Sequence, residues 1–240
     1  MNSPLFSIIV PHYQWDGKNG IRHEDFLRGL TCIQDQTFTD YEVLVYHDGP
    51  PTDKSLLKEC PFPVQYTEKR YNDWGHSLRD AGIKNSKGDY IVHFNPDNIL
   101  YPNALEKIAE AIHDTTFEEV CEHVKPGDFT ENPSEHAKRI KNIVVFPIYL
   151  YGVKGFGQFL VDFRPLMEAP KHKKFMHLLS GYPVLPGFID AMQVVVKRSL
   201  WLQEGGWSDK SEKSDGKLLE RLVIKNIGCA HIFEPLGEHY

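Results

Sequence analysis

Residues 77–98 read SLRDAGIKNSKGDYIVHFNPDN, and the fold follows from how that stretch changes character. Residues 77–85 predict a helix, closed by Lys87-Gly88-Asp89. Residues 90–94, YIVHF, are short and very apolar, which is how a strand buried on both faces reads. Asn95-Pro96-Asp97-Asn98 then ends the strand in a polar turn.

The same alternation extends upstream. Residues 6–10, FSIIV, form another buried strand, stopped by Pro11. A polar loop with Asp16, Gly17, Asn19 and Gly20 follows. Phe26, Leu27, Leu30 and Ile33 then recur at helical spacing, predicting a helix that ends near Gln36. Residues 41–46 are a strand running into Asp48-Gly49-Pro50-Pro51, residues 54–59 a short helix, and residues 64–67 a strand. Downstream, residues 102–113 make an amphipathic helix with Pro102 near its first turn. Strand–helix alternation of this kind predicts an α/β fold: a mostly parallel sheet with helices on both faces. Ligands bind such sheets beyond the carboxyl ends of the strands, so the segments after Val10, Tyr46 and Phe94 are where chemistry is expected.

Beyond residue 113 the pattern is looser. Residues 114–142 are polar and charged, residues 143–151 predict one strand, and residues 152–187 mix glycine, proline, aromatics and lysine over the active face. Residues 189–197 predict a strand, residues 199–203 a short helix stopped by Gly205-Gly206, and residues 217–226 a last helix.

At 240 residues, 41% hydrophobic and 25% charged, the chain suits a single domain with a sizeable core. A net charge of −6 argues against a nucleic-acid partner, which would want a basic stripe. The dense basic run Lys171-His172-Lys173-Lys174 reads as a solvated loop, or else as contact with an anionic acceptor or membrane surface. Cys32, Cys60, Cys121 and Cys229 have neither zinc nor redox spacing, so reduced thiols in a cytosolic-type compartment are expected. No apolar run approaches the roughly 20 residues of a transmembrane segment, and no secretory leader is expected from the residues before the first strand. The expected location is cytoplasmic, or peripheral to a membrane. HExxH, GxGxxG and P-loop patterns are missing, so zinc-protease, dinucleotide and ATPase readings lack support.

Several ordered motifs resemble those of the family 2 glycosyltransferases. SIIVPHYQ is similar to that family's first strand and Pro-x-Tyr-Asn turn. QTFTDYEVLVYHDGPPTD resembles its Asp-Gly-Ser-x-Asp series, and SLRDAGIKNSKGDYIVHFNPDN its Arg-Asn-x-Gly helix and Asp-x-Asp metal motif. GGWSDKSEKSDGKLLERL, over a hundred residues later, resembles a Gly-Gly-Phe turn followed by an acidic motif and a helix. The resemblance implies the Rossmann-like GT-A fold, with a nucleotide-sugar half over about residues 1–100 and an acceptor half over about 143–240. It implies inverting transfer of a hexose from a UDP- or dTDP-sugar, with Mn²⁺ or Mg²⁺, to a saccharide or glycolipid acceptor.

Residue by residue, the resemblance puts Pro11 and Tyr13 at the nucleotide and Asp48 on the base, where a carboxylate accepts the imide N–H of uracil or thymine. A turn-forming Asp is the plainer reading of Asp48. Asp53 is either the trailing acid of that motif or a helix cap. Asp97 is the expected metal ligand, since a diphosphate wants a hard cation with oxygen donors. Asn95 stands where the pattern has its first Asp, leaving it a hydroxyl or ribose contact, and Asn98 replaces a frequent second Asp. Arg79 is expected at the diphosphate, or organising Asp97; Gly75 permits close backbone approach to a ligand. Asp215 is the candidate general base, with Asp209 and Glu212 as neighbours able to replace it and helix capping as its plainer role. Asp190 is expected to meet acceptor hydroxyls, Trp207 either to stack on a sugar or to sit in the core, and His239 either to complete the metal shell or to fray with the chain end. Two rival readings stay open: a non-catalytic nucleotide-sugar-binding module, favoured by Asn95, Asn98 and Ser214 in place of acids, and a sugar nucleotidyltransferase.

Overall fold

The structure, a computed structural model, describes residues 3–113, 142–151, 176–179, 181, 189–207, 210, 214, 217 and 229–240. β1 (Phe6–His12) is buried at every position and lies inside the main sheet, parallel to β2 (Tyr41–His47) on one side and β4 (Tyr90–His93) on the other. Proline removes one N–H without barring the extended backbone, so the strand runs through Pro11 instead of stopping there. β3 (Val64–Tyr66) extends the parallel set beyond β2.

Strand alternation splits the core into two layers. Phe6, Ile8, Val10, Val92 and Phe94 pack with α1 (His23–Gln34) and α4 (Ala104–His113); Ile9 and Ile91 pack with α3 (His76–Asn85) and Trp201. α2 (Ser55–Glu59) lies between β2 and β3 in the chain. Gly29 sits where α1 passes the Asn95–Asp97 turn: a Cβ there would come within 2.0 Å of the Pro96 carbonyl oxygen. Only glycine allows that approach, so α1 acts as a backstop for the turn.

The second half of the chain departs from expectation in three places. The apolar run 143–151 is two strands, β6 (Ile143–Val145) and β7 (Ile148–Tyr151), in different sheets. The break is Phe146-Pro147, where Gln193 bonds both backbone groups of Phe146 and the Pro147 carbonyl accepts from Leu236. Residues 189–197 are not one strand either. Asp190 caps a 3₁₀ turn (Ala191–Gln193), its carboxylate accepting from the Met192 N–H, and only then does β9 (Val194–Lys197) begin. Finally, the chain end is a strand rather than a frayed tail.

Element by element, β5 (Ile99–Leu100) and β8 (Met176–Leu179) precede β9, and α5 (Arg198–Gln203), β10 (Cys229–His231) and β11 (Gly237–His239) follow it. Among the described residues the main sheet has the order β10-β6-β9-β4-β1-β2-β3. β9 is antiparallel to both neighbours, so the sheet is mostly parallel with one reversed strand. A smaller sheet, β5-β11-β7-β8, stands beside it. β11 pairs antiparallel with β5, the strand directly after the Asn95–Asn98 turn. The predicted helix at 217–226 lies largely outside the described residues. No described helix is long and apolar enough to cross a membrane.

Candidate functional site

The carboxyl ends of β1, β2 and β4 open onto a cleft of about 670 Å³, lined among others by Pro11, Tyr13, Asp48, Gly75, Asn95 and Asp97. Six of the expected nucleotide residues therefore share one cavity. Asp48 is 6% exposed, and its two carboxylate oxygens accept the backbone N–H groups of Tyr71 and Asn72 at 2.8 and 3.0 Å. It thus clamps the loop between β3 and α3 while lining the cleft. Arg70 brings its Nε to 3.9 Å from Asp48 and lays its guanidinium 3.4 Å from the Tyr13 ring centroid. Asp53 forms an Asx turn just before α2, its Oδ1 accepting from the Ser55 N–H at 2.8 Å.

Arg79 is 4% exposed, which excludes the role of a surface helix arginine. Its guanidinium donates to the Trp74 carbonyl and to Asn95 Oδ1, both at 2.7 Å. It therefore organises the metal-motif turn through Asn95, not through Asp97. Gly75, with φ of 78°, caps α3 and lets Pro11 pack closely: a Cβ there would meet the Pro11 ring at 2.9 Å.

Asp97 has an orphaned atom: its Oδ1 is buried without a hydrogen-bond partner. Burial raises its pKa, against the pull of His239. His239 is brought to the same place by β11, with Nδ1 3.4 Å from Asp190 Oδ2. Burial alone would lower the His239 pKa, but the hydrogen bond and charge of Asp190, with the charge of Asp97, lift it above its usual value. Asp190 shows the complement: burial pushes it up, His239 and the Met192 N–H pull harder, and its pKa falls below the usual range. Asn98, fully buried, reaches His239 Nδ1 at 3.4 Å and Met192 sulfur at 3.3 Å, which gives the amide a role in holding β11. Among the described residues no three acidic, histidine or cysteine side chains close into a ready-made metal shell. The donor set still suits a hard cation. Mg²⁺ and Mn²⁺ sites commonly take one or two protein carboxylates and leave the remaining positions to phosphate and water, and the orphaned Asp97 oxygen offers such a ligand.

Trp207 is the correction among the acceptor residues. It is 2% exposed, stacked 4.8 Å from His76 and 5.6 Å from Trp201, and donates its indole N–H to His93. Its ring is committed to the core and offers no face to a sugar. Asp190 faces His239 and its own turn instead of starting an acceptor-side strand. Ser214, also buried, contacts His76 Nε2 at 2.9 Å, and His76 Nδ1 lies 3.4 Å from Arg79. A hydrogen-bonded path therefore runs from Asn95 through Arg79 and His76 to Ser214. Asp215, Asp209 and Glu212 lie outside the described residues, as does the basic run 171–174.

Several cleft residues escaped the sequence reading, among them His12, Arg70 and Trp74. His12 is 2% exposed, with both ring nitrogens unpartnered, and stacks on Phe26 at 4.0 Å; burial, then the neighbouring His47, lowers its pKa to about 3. Arg70 and Trp74 belong to a loop whose sequence carries no periodic signal. The clue was there in Asn72-Asp73-Trp74-Gly75, a turn-rich run holding one large aromatic.

Comparisons with known proteins bear on the family and the fold. The sequence profile of glycosyl transferase family 2 matches residues 7–201. A protein from Rickettsia bellii described as an uncharacterized glycosyltransferase is 31% identical over 114 residues, 46% of this chain and 15% of its own length. The Bacillus subtilis protein YwdF, described in the same words, is 33% identical over 92 residues, 37% of this chain and 33% of its own. Among solved structures, S. aureus TarS 1-349 in complex with UDP superposes with a TM-score of 0.59 at 14% identity, covering all of this chain and 60% of that one. The mannosyltransferase PcManGT from Pyrobaculum calidifontis, in complex with GDP-Man and Mn²⁺, gives 0.61 at 12% identity, covering 99% and 57%. The chain thus spans a third or less of the length of these curated relatives and about 60% of the solved chains.

Proposed function

The chain belongs to glycosyl transferase family 2, and from that premise we propose that it transfers a hexose from a UDP- or dTDP-sugar to a hydroxyl of a saccharide or glycolipid, with inversion and with Mn²⁺ or Mg²⁺. The observation that carries this reading is the convergence on one turn. Asp97, with its orphaned oxygen, lines the cleft that holds Asp48 and feels the charges of the half-buried Asp190–His239 pair.

In this reading Asp48 meets the base. Each of its oxygens already accepts one N–H, and a carboxylate oxygen has capacity for a second. The imide N–H of uracil or thymine suits that capacity. Asn95, steadied by Arg79, faces the ribose. Asp97 and His239 are the residues that would hold the cation, and a bound divalent ion supplies positive charge beside the departing diphosphate. His239 Nδ1 faces Asp190 Oδ2 and Asn98 Nδ2, each at 3.4 Å, so Nε2 is the ring nitrogen that would meet the cation.

The transfer itself is one displacement. The acceptor oxygen bonds to the anomeric carbon, the bond from that carbon to the phosphate oxygen breaks, and its electron pair leaves with the nucleoside diphosphate. The acceptor's proton goes to Asp215, assigned as base from its place after Gly205-Gly206-Trp207 and next to the buried Ser214. The bound nucleotides of TarS and PcManGT support a nucleotide-sugar donor and leave open which base. A thermal-shift panel of UDP-glucose, UDP-galactose, UDP-GlcNAc, dTDP-glucose and GDP-mannose with Mn²⁺ tests the reading, because a ligand of the native state raises Tm by mass action. Uridine or thymidine donors are expected to raise it. A shift with GDP-mannose alone would overturn the base assignment, and no shift with any donor would overturn the donor site.

A further inference from the structure

Trp74 is an anomaly by every ordinary measure of a folded chain. It is 68% exposed, the most exposed of the four tryptophans. Its backbone has φ of 59°, in the left-handed region that a bulky residue rarely enters. Asn72, at 54°, and Gly75, at 78°, share that region, but asparagine and glycine tolerate it. The tryptophan therefore costs the protein twice, in strain and in exposed apolar surface.

The strain is held by specific contacts. Asp48 fixes the N–H groups of Tyr71 and Asn72, and Arg79 fixes the Trp74 carbonyl at 2.7 Å. Asp73 accepts from the Ser77 N–H at 3.0 Å. The loop is pinned before, at and after Trp74, so the indole is presented in a set place on the wall of the cleft beside Asn72 and Asn95. Strained backbone that the surroundings over-determine clusters at ligand clamps. The anchors here are the same Asp48 and Arg79 that organise the donor cleft. Tyr13, the aromatic expected to meet the nucleotide, already carries the Arg70 guanidinium on its ring.

We propose that Trp74 is a stacking platform for the heterocyclic base of the donor nucleotide. The proposal rests on the donor-site reading above and adds a specificity-determining residue to it. A flat, exposed indole on the wall of the cleft that also holds Asp48 suits a flat base, whose face would stack while Asp48 takes its edge.

The test compares Trp74→Ala, Trp74→Gly and Trp74→Phe with the parent, titrating UDP and UDP-glucose in Mn²⁺ by calorimetry and recording Tm without ligand. Loss of stacking is expected to weaken UDP at least tenfold in the alanine and glycine variants, with phenylalanine keeping most of the affinity. Tm should hold or rise, most of all in Trp74→Gly, because glycine relieves the backbone. UDP should also quench tryptophan emission more in the parent than in Trp74→Phe, which keeps Trp15 on the cleft wall. UDP affinity within twofold of the parent in both small variants overturns the proposal, as does a loss of affinity that tracks a fall in Tm. Weakening of UDP-glucose with UDP unchanged reassigns the platform to the sugar and overturns the base assignment. If the parent binds no nucleotide, the donor-site reading itself falls and this proposal with it.

Discussion

The two walls of the cleft are made by different means. One consists of the ends of β1 and β2 and the loop before α3, where Asp48, Asn72 and Gly75 are held by contacts within the first 79 residues. The other consists of Asp97 with Asp190 and His239; Asn98 and His239, which tie it together, are 141 residues apart in sequence. The first wall is a by-product of a regular parallel sheet, whose strand ends gather loops automatically. The second requires a separate small sheet whose function is to bring β11 back to β5. A binding surface comes with the fold, whereas the Asp97 side of the cleft depends on one long-range strand pairing.

Substitutions on each side sharpen that contrast. The largest effect is expected at Asp215, on the acceptor side. Asp215→Asn keeps the shape and any capping role while removing the basicity. Turnover of the accepted donor should fall by about 10²–10⁴-fold with donor affinity and Tm near the parent. Turnover within a few-fold of the parent would move the base to Asp209 or Glu212. On the first wall, Asp48→Ala should weaken UDP by about 1.5–3 kcal/mol, the range for a hydrogen bond to a charged group. Calorimetry checks it, and unchanged affinity would reduce Asp48 to a loop clamp. On the second wall, Asp190→Asn preserves the cap on the 3₁₀ turn but removes the charge facing His239. Partners of this kind typically change metal affinity by about 10–100-fold, so Mn²⁺ binding in the presence of UDP should weaken within that range while UDP binding in EDTA stays put.

The sequence made the first wall legible and the second mostly not, for physical reasons. Residues 6–10, 41–46 and 90–94 declare themselves as buried strands because burial on both faces leaves an unbroken apolar run. Their polar successors Asp48 and Asp97 are then placed by the general rule for parallel sheets. β5, β10 and β11 are two or three residues each, too short to carry a period, and their partners are distant. The run 143–151 reads as one strand because apolarity does not distinguish one sheet from two; Pro147 was the sign of the break. Trp207 was ambiguous for a related reason, since a tryptophan after a Gly-Gly turn suits a core and a sugar site equally until its neighbours are known. His12 hid inside a strand, where an unpaired buried histidine has no sequence signature.

The smallest expected effect belongs to that histidine and separates the folded site from its chemistry. His12 has a folded pKa of about 3 against 6.5 in the open chain, so the unfolded state takes up the proton first. Its contribution to stability is full above pH 6.5 and is lost as pH falls toward the folded value. The loss is about 1.3 kcal/mol between pH 7 and 5.5 for this group alone. Buried His47 and His93, also lowered chiefly by burial, act in the same direction. Denaturation across that range should give a shallower pH slope for His12→Asn than for the parent, and equal slopes would contradict the buried neutral state.

The claim on which the rest depends is that both walls act together on a diphosphate, and titration of UDP into the parent protein, once with Mn²⁺ and once with EDTA, tests it most directly. Asp97 leaves one buried carboxylate oxygen unsatisfied at the place where the diphosphate would add further negative charge, so UDP should bind at least about tenfold more tightly with Mn²⁺, a difference of about 1.4 kcal/mol. Equal affinity in EDTA would contradict the account, leaving the first wall as a nucleotide site that works without the second.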